Sequence, residues 1–141
     1  MAAPIVVGYD GTPGARAAGG EALRLARDLG GELVFGYCYS VSAAGGEVGD
    51  LEAALRERGT AVLHEALAQA HAAGLEARAA LVHDKPSAGL VGLAEENDAR
   101  MIIVGSYGEP PLKGALIGST AHKLLHLSER PVLVVPVPRD A

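Results

Sequence analysis

The sequence predicts an α/β fold: a doubly wound, mostly parallel five-stranded sheet with helices on both faces. Three observations carry this. Short β-branched runs such as IVVGY, MIIV and PVLVV alternate with longer segments of helical periodicity. The 141 residues are 49% hydrophobic but only 4% aromatic, so the core is built from Ala, Val, Leu and Ile. Glycine and proline punctuate the joints between the two kinds of segment. A β-α alternation of this kind returns each strand parallel to the last through right-handed crossovers.

The elements follow in order. Ile5 to Tyr9 is the first strand, ended by Asp10-Gly11-Thr12-Pro13, where Thr12 suits a helix cap and Pro13 its first turn. Ala18, Ala22, Leu25 and Leu29 form the apolar stripe of the first helix, and Gly30-Gly31 stops it. Glu32 to Tyr39 is the second strand, followed by the loop SVSAAGGEVG. Asp50 suits the cap of a second helix reaching Ala73, with Leu51, Leu55, Val62, Ala66 and Ala70 near one face and Gly74 as the stop. Ala77 to His83 is a weaker third strand. Pro86 and Ser87 open a third helix through Glu96, and Met101 to Val104 is a strand buried on both faces. A fourth helix is expected over 115–128. Pro131 to Val137 is the fifth strand, with prolines at its ends that suit a sheet edge.

One domain over residues 1–141 is the expectation. Twelve basic against 17 acidic residues give a net charge of −5 without long runs, which argues against a nucleic-acid or membrane-surface partner. The single cysteine, Cys38, allows no intramolecular disulfide and suits a reducing compartment. No secretion signal or membrane-spanning run of apolar residues is visible, so a cytoplasmic location is expected.

In a sheet of this type ligands bind outside the carboxyl ends of the strands, where the strand order reverses. That rule singles out Asp10, the segment from Tyr37 to Tyr39, and the stretch VGSYGEPPLKGALIGST after the fourth strand. Gly105 and Gly108 follow the strand, while a helix over 115–128 places Gly118-Ser119 in its first turns, so amides from both ends of the loop converge. Such amides hold anions, because their N–H groups lack intrahelical partners and lie at the positive end of the helix dipole. No Gly-Lys-Ser/Thr closes the stretch and no G-x-G-x-x-G is present, so it is neither a P-loop nor a dinucleotide fingerprint.

Asp10 is equally suited to an Asx turn ahead of the first helix and to a ligand contact, and the two roles are compatible. Ser119 suits either a backbone-bonding hydroxyl or a phosphate contact. His122 and His126 stand four apart, but no acidic third ligand lies in register with them, and they are expected to flank the buried stripe. Cys38 has no basic sequence neighbour to stabilise a thiolate and is expected to act as a small apolar residue.

The spacing Gly, two residues, Gly, nine residues, Gly-Ser, met by Gly105, Gly108, Gly118 and Ser119, resembles the ATP-binding signature of the universal stress protein family. IVVGYDG, MIIVGSYG and RPVLVVP resemble the family's first strand, fourth strand and closing strand. The resemblance implies a sheet of order 3-2-1-4-5, with Asp10 beside Gly105 and near the ribose or a phosphate-bound Mg²⁺. It implies that the backbone around Cys38 meets adenine, that Gly105, Gly108, Gly118 and Ser119 hold phosphates, and that Thr120 contributes its backbone where the family often has valine. Lys113, inside the nine-residue span, is a further candidate phosphate contact. The implied ligand is ATP or AMP with Mg²⁺, and the implied role is a nucleotide-responsive stress or signalling module.

Glu109 beside the second glycine and the amide-free Pro110-Pro111 depart from the pattern. They motivate an alternative, the same fold without nucleotide binding, acting through protein contacts. Apart from Asp10 no general base lies near the expected site, so the residues point away from an enzyme; slow ATPase activity or self-phosphorylation is the most that family analogy suggests. The strand PVLVV, apolar on both faces and at an edge in the implied order, predicts a homodimer through Val132 to Val137.

Overall fold

A computed structural model describes residues 2–41, 48–106 and 117–137. Nine elements alternate: β1 (Ile5–Gly8), α1 (Pro13–Leu29), β2 (Leu33–Tyr39), α2 (Val48–Ala72), β3 (Ala77–His83), α3 (Pro86–Glu96), β4 (Met101–Gly105), α4 (Ser119–Leu127) and β5 (Val132–Val135). The strands form one sheet of order β3-β2-β1-β4-β5, and all four pairings are parallel. β1 therefore sits at the centre. Its register, Val6 against Val34 on one side and Ile102 on the other, places apolar residues on both faces.

The strand period of two divides the core. Ile5, Val7, Phe35 and Ile103 face α1 and α2, where Ala15, Ala18, Ala22, Ala26, Ala66 and Ala70 supply a flat, small-residue surface. Val6, Val34, Ile102 and Val104 face the other way, onto Leu90, Leu93 and Ala94 of α3 and Ala121 and Leu124 of α4. Glycine lets α3 approach the sheet closely: a Cβ on Gly36 would lie 2.7 Å from Leu93 Cδ2, closer than real side chains come.

Local signals set several boundaries. Thr12 caps α1, its hydroxyl accepting from the Ala15 amide at 3.3 Å, and Pro13 occupies the first turn. The chain leaves α1 through Gly30 and Gly31 at φ 76° and 99°, values that side-chain-bearing residues rarely adopt. Other boundaries differ from the sequence reading. α2 begins at Val48, so Asp50 lies in its first turn, where its charge complements the helix dipole, and is not the cap. Within 117–118 the chain is not yet helical. Gly118 is extended (φ −70°, ψ 163°) and donates its N–H to the Ser106 carbonyl, so α4 starts at Ser119. Leu29 and Leu51, expected in apolar stripes, are 42% and 51% exposed, while Ala26 of α1 and Leu63, Ala66 and Ala70 of α2 are buried. Among the described residues no helix is long and apolar enough to cross a membrane.

Candidate functional site

At the carboxyl ends of the neighbouring strands β1 and β4 the strand order reverses: the connection after β1 leads to β2 on one side, and that after β4 leads to β5 on the other. A cleft of about 100 Å³, open to solvent, lies there. Its floor is made by Gly8, Gly36, Leu90 and Val104, and its rim by Asp10, Thr12, Cys38, Pro86, Gly105 and Thr120. The lining is mostly apolar, with the polar groups of Asp10 and Thr12 at one end.

Asp10 stands at the polar end. Its Oδ1 accepts from the Thr12 amide at 3.0 Å and from the Thr12 hydroxyl at 2.6 Å, which is the Asx turn expected of it. The same carboxylate remains exposed at the rim of the cleft. One turn of chain therefore orders the start of α1 and presents a negative charge to the site.

Across the cleft lies the start of α4. Among the described residues no side chain caps it. The first helical bond runs from the His122 amide to the Gly118 carbonyl at 3.0 Å, so the amides of Ser119, Thr120 and Ala121 find no acceptor among the described residues. Three N–H groups and the positive end of the helix dipole thus lie beside the cleft wall that Thr120 forms. The Gly118 amide is bonded to the Ser106 carbonyl and is not one of these three.

Cys38 lines the far side with its sulfur 3.8 Å from the Pro86 carbonyl oxygen. Burial, reinforced by the charge of Asp84, pushes its thiol up to about 12, so it stays neutral at physiological pH. Tyr9, 2% exposed, donates its hydroxyl to Glu65 of α2 at 2.8 Å, and Glu65 also pairs with Arg16 of α1 at 3.3 Å. This chain of contacts ties both helices to the strand that ends in the cleft.

Of the residues expected from sequence, Asp10, Cys38, Gly105 and Thr120 come together around the cleft. Gly118 and Ser119 adjoin Thr120 but are not among its lining residues, and Gly108 and Lys113 lie outside the described residues, as do Glu109, Pro110 and Pro111. Sequence reasoning missed Gly8, Gly36, Leu90 and Pro86. The strand-end rule that singled out Asp10 applies equally to Pro86, which opens α3 just after β3. Among the described residues, no group of three or more His, Cys, Asp or Glu side chains is placed to hold a metal ion.

The sequence model of the universal stress protein family matches residues 1–136. The chain is 27% identical over 140 residues to universal stress protein MJ0531 of Methanocaldococcus jannaschii, which spans 96% of this chain and 82% of that one. It is 32% identical over 81 residues to universal stress protein YxiE of Bacillus subtilis, covering 57% of this chain and 55%, about half, of the relative's length. Among solved structures, the protein MJ0577 superposes with a TM-score of 0.88 at 22% identity over 99% of each chain, a likeness of fold. A universal stress protein in complex with cAMP superposes at 0.77 with 27% identity, covering 96% of this chain and 98% of that one.

Proposed function

The chain belongs to the universal stress protein family, and from that membership and the geometry of the cleft we propose that it binds an adenine nucleotide, ATP or AMP, with Mg²⁺ accompanying the polyphosphate. It then acts as a nucleotide-responsive stress or signalling module, with residues 1–141 working as one domain. The observation that carries this reading is the meeting of Asp10, Gly105 and the start of α4 around one cleft. A relative of the same fold was solved with cAMP.

The donor chemistry fits the ligand. Phosphate oxygens are acceptors only, and the amides of Ser119, Thr120 and Ala121, which find no acceptor among the described residues, are donors backed by the dipole of α4. Gly105, Gly108, Gly118 and Ser119 are assigned to the phosphate loop and Lys113 to a supporting charge. Asp10 is assigned to the ribose or to Mg²⁺, since a carboxylate beside polyphosphate is favourable only with a cation or hydroxyl as its partner. The base is assigned to the apolar end, between Cys38, Pro86 and Leu90.

Titrating the protein with ATP and Mg²⁺, AMP, cAMP and GTP by calorimetry tests the reading. Saturable binding of adenine nucleotides in preference to GTP supports it. No binding of any of them overturns it in favour of the second reading, a protein-interaction module of the same fold, which the two amide-free prolines and Glu109 of the loop motivate. Under both readings the fifth strand pairs two copies into a dimer, as its edge position allows.

A further inference from the structure

The outer surface of α4 carries two histidines that no part of the proposed nucleotide site uses. Ala121 and Leu124 face the core, whereas His122 and His126, one turn apart, are both exposed on the opposite side. Their rings approach each other, with centroids 5.1 Å apart and planes at 63°. Among the described residues the ion pair formed by a histidine is that of His83 with Glu52, so neither imidazole of α4 has a carboxylate partner there.

From this pair we infer that α4 carries a two-histidine clamp for a divalent late transition metal ion, of the Cu²⁺, Ni²⁺ or Zn²⁺ class. Imidazole suits these ions in particular. A metal about 2.0–2.1 Å from each ligating nitrogen stands about 3.2 Å from each ring centre, so centres 5.1 Å apart subtend about 105° at the ion. That angle lies between the square and tetrahedral preferences of these metals, so the ring spacing suits a shared ion once each ring turns a nitrogen toward it. His126 lies in the last turn of α4, where the negative end of the helix dipole favours a cation. No third protein ligand joins the pair among the described residues, so the remaining positions belong to water or to an incoming ligand. The clamp therefore resembles an open coordination site more than a structural one.

The untagged full-length chain, dialysed free of metal, is titrated with CuCl₂, NiCl₂ and ZnCl₂, with Cu²⁺ broadening of the histidine ring proton resonances followed in parallel. The clamp predicts one ion per chain, bound most tightly as Cu²⁺, with the signals of His122 and His126 broadening first. His122→Ala and His126→Ala should each weaken binding at least about tenfold, because the second ligand acts at an effective concentration fixed by the helix. His64→Ala and His71→Ala, on α2, should leave it unchanged. Both α4 substitutions are at exposed positions, and circular dichroism checks that they leave the fold intact. No saturable binding below millimolar metal, affinity kept in the double variant, or loss with only one of the two substitutions would each overturn the assignment.

Discussion

Gly105 at the end of β4 and Gly14 in the first turn of α1 meet backbone to backbone. A Cβ placed on Gly105 would lie 2.7 Å from Gly14 Cα and closer still to its carbonyl group. α1 comes down onto β4 at this point only because β4 carries no side chain there. Gly105 is thus a packing residue as well as a candidate ligand contact.

Gly105→Ala is therefore expected to destabilise the protein by at least about 2 kcal/mol, because neither backbone can move without shifting a strand or a helix. Gly20→Ala, inside α1 with nothing within 4 Å of the added Cβ, should instead stabilise by about 0.5–1 kcal/mol through helix propensity. Urea unfolding of the two variants, read as midpoints at constant slope, compares them.

Tyr9 gives a pH signature. Burial, and then its hydrogen bond to Glu65 and that carboxylate's charge, push the phenol up to about 12 from an ordinary 10. A group held protonated in the native state contributes stability fully below its unfolded value, and this is lost as pH rises toward the folded value. Stability should accordingly fall between about pH 10 and pH 12, and Tyr9→Phe should remove that component. At neutral pH the same substitution should cost about 1 kcal/mol for the lost bond to Glu65. Denaturant melts across this pH range measure both effects.

Cys38 should be slow to alkylate. With its thiol pushed up to about 12 by burial and Asp84, almost none is thiolate at pH 8, and the thiolate is the nucleophile. Iodoacetamide should modify the native protein at least tenfold more slowly than the chain unfolded in urea. Equal rates would show that the sulfur is neither buried nor neutral as described.

The strands were legible because a parallel sheet covered on both faces needs uninterrupted apolar runs, and IVVG, MIIVG and VLVV supply them. Asp10 was legible because strand ends and Asx turns both leave local marks. What was not legible depends on distant partners. Nothing near Tyr9 announces Glu65, 56 residues away, and nothing near Gly105 announces Gly14. The start of α4 was placed too early because Ala115, Leu116 and Ile117 continue a helical pattern, whereas the bond from Gly118 to Ser106 holds the chain extended until Ser119. Leu29 and Leu51 misled because their spacing continues an apolar stripe past the stretch of each helix that meets the sheet, where Ala26, Leu63, Ala66 and Ala70 are buried.

β5 lies at the sheet edge and keeps all four of its residues partly exposed. Sedimentation velocity at micromolar concentration should give twice the chain mass, and Val134→Lys should shift it toward the monomer by placing a charge on the edge. A monomeric wild type would contradict pairing through this strand.

The nucleotide content of the freshly purified protein, by acid extraction and chromatography beside a Thr120→Glu variant, tests the central claim most directly. A carboxylate in the first turn of α4 favours the helix dipole, so the variant should fold, yet it places negative charge where the phosphates are assigned. Near-stoichiometric adenine nucleotide in the wild type, lost in the folded variant, is the predicted result. A wild type that is empty and takes up no added ATP with Mg²⁺, or a variant that retains its nucleotide, would contradict it.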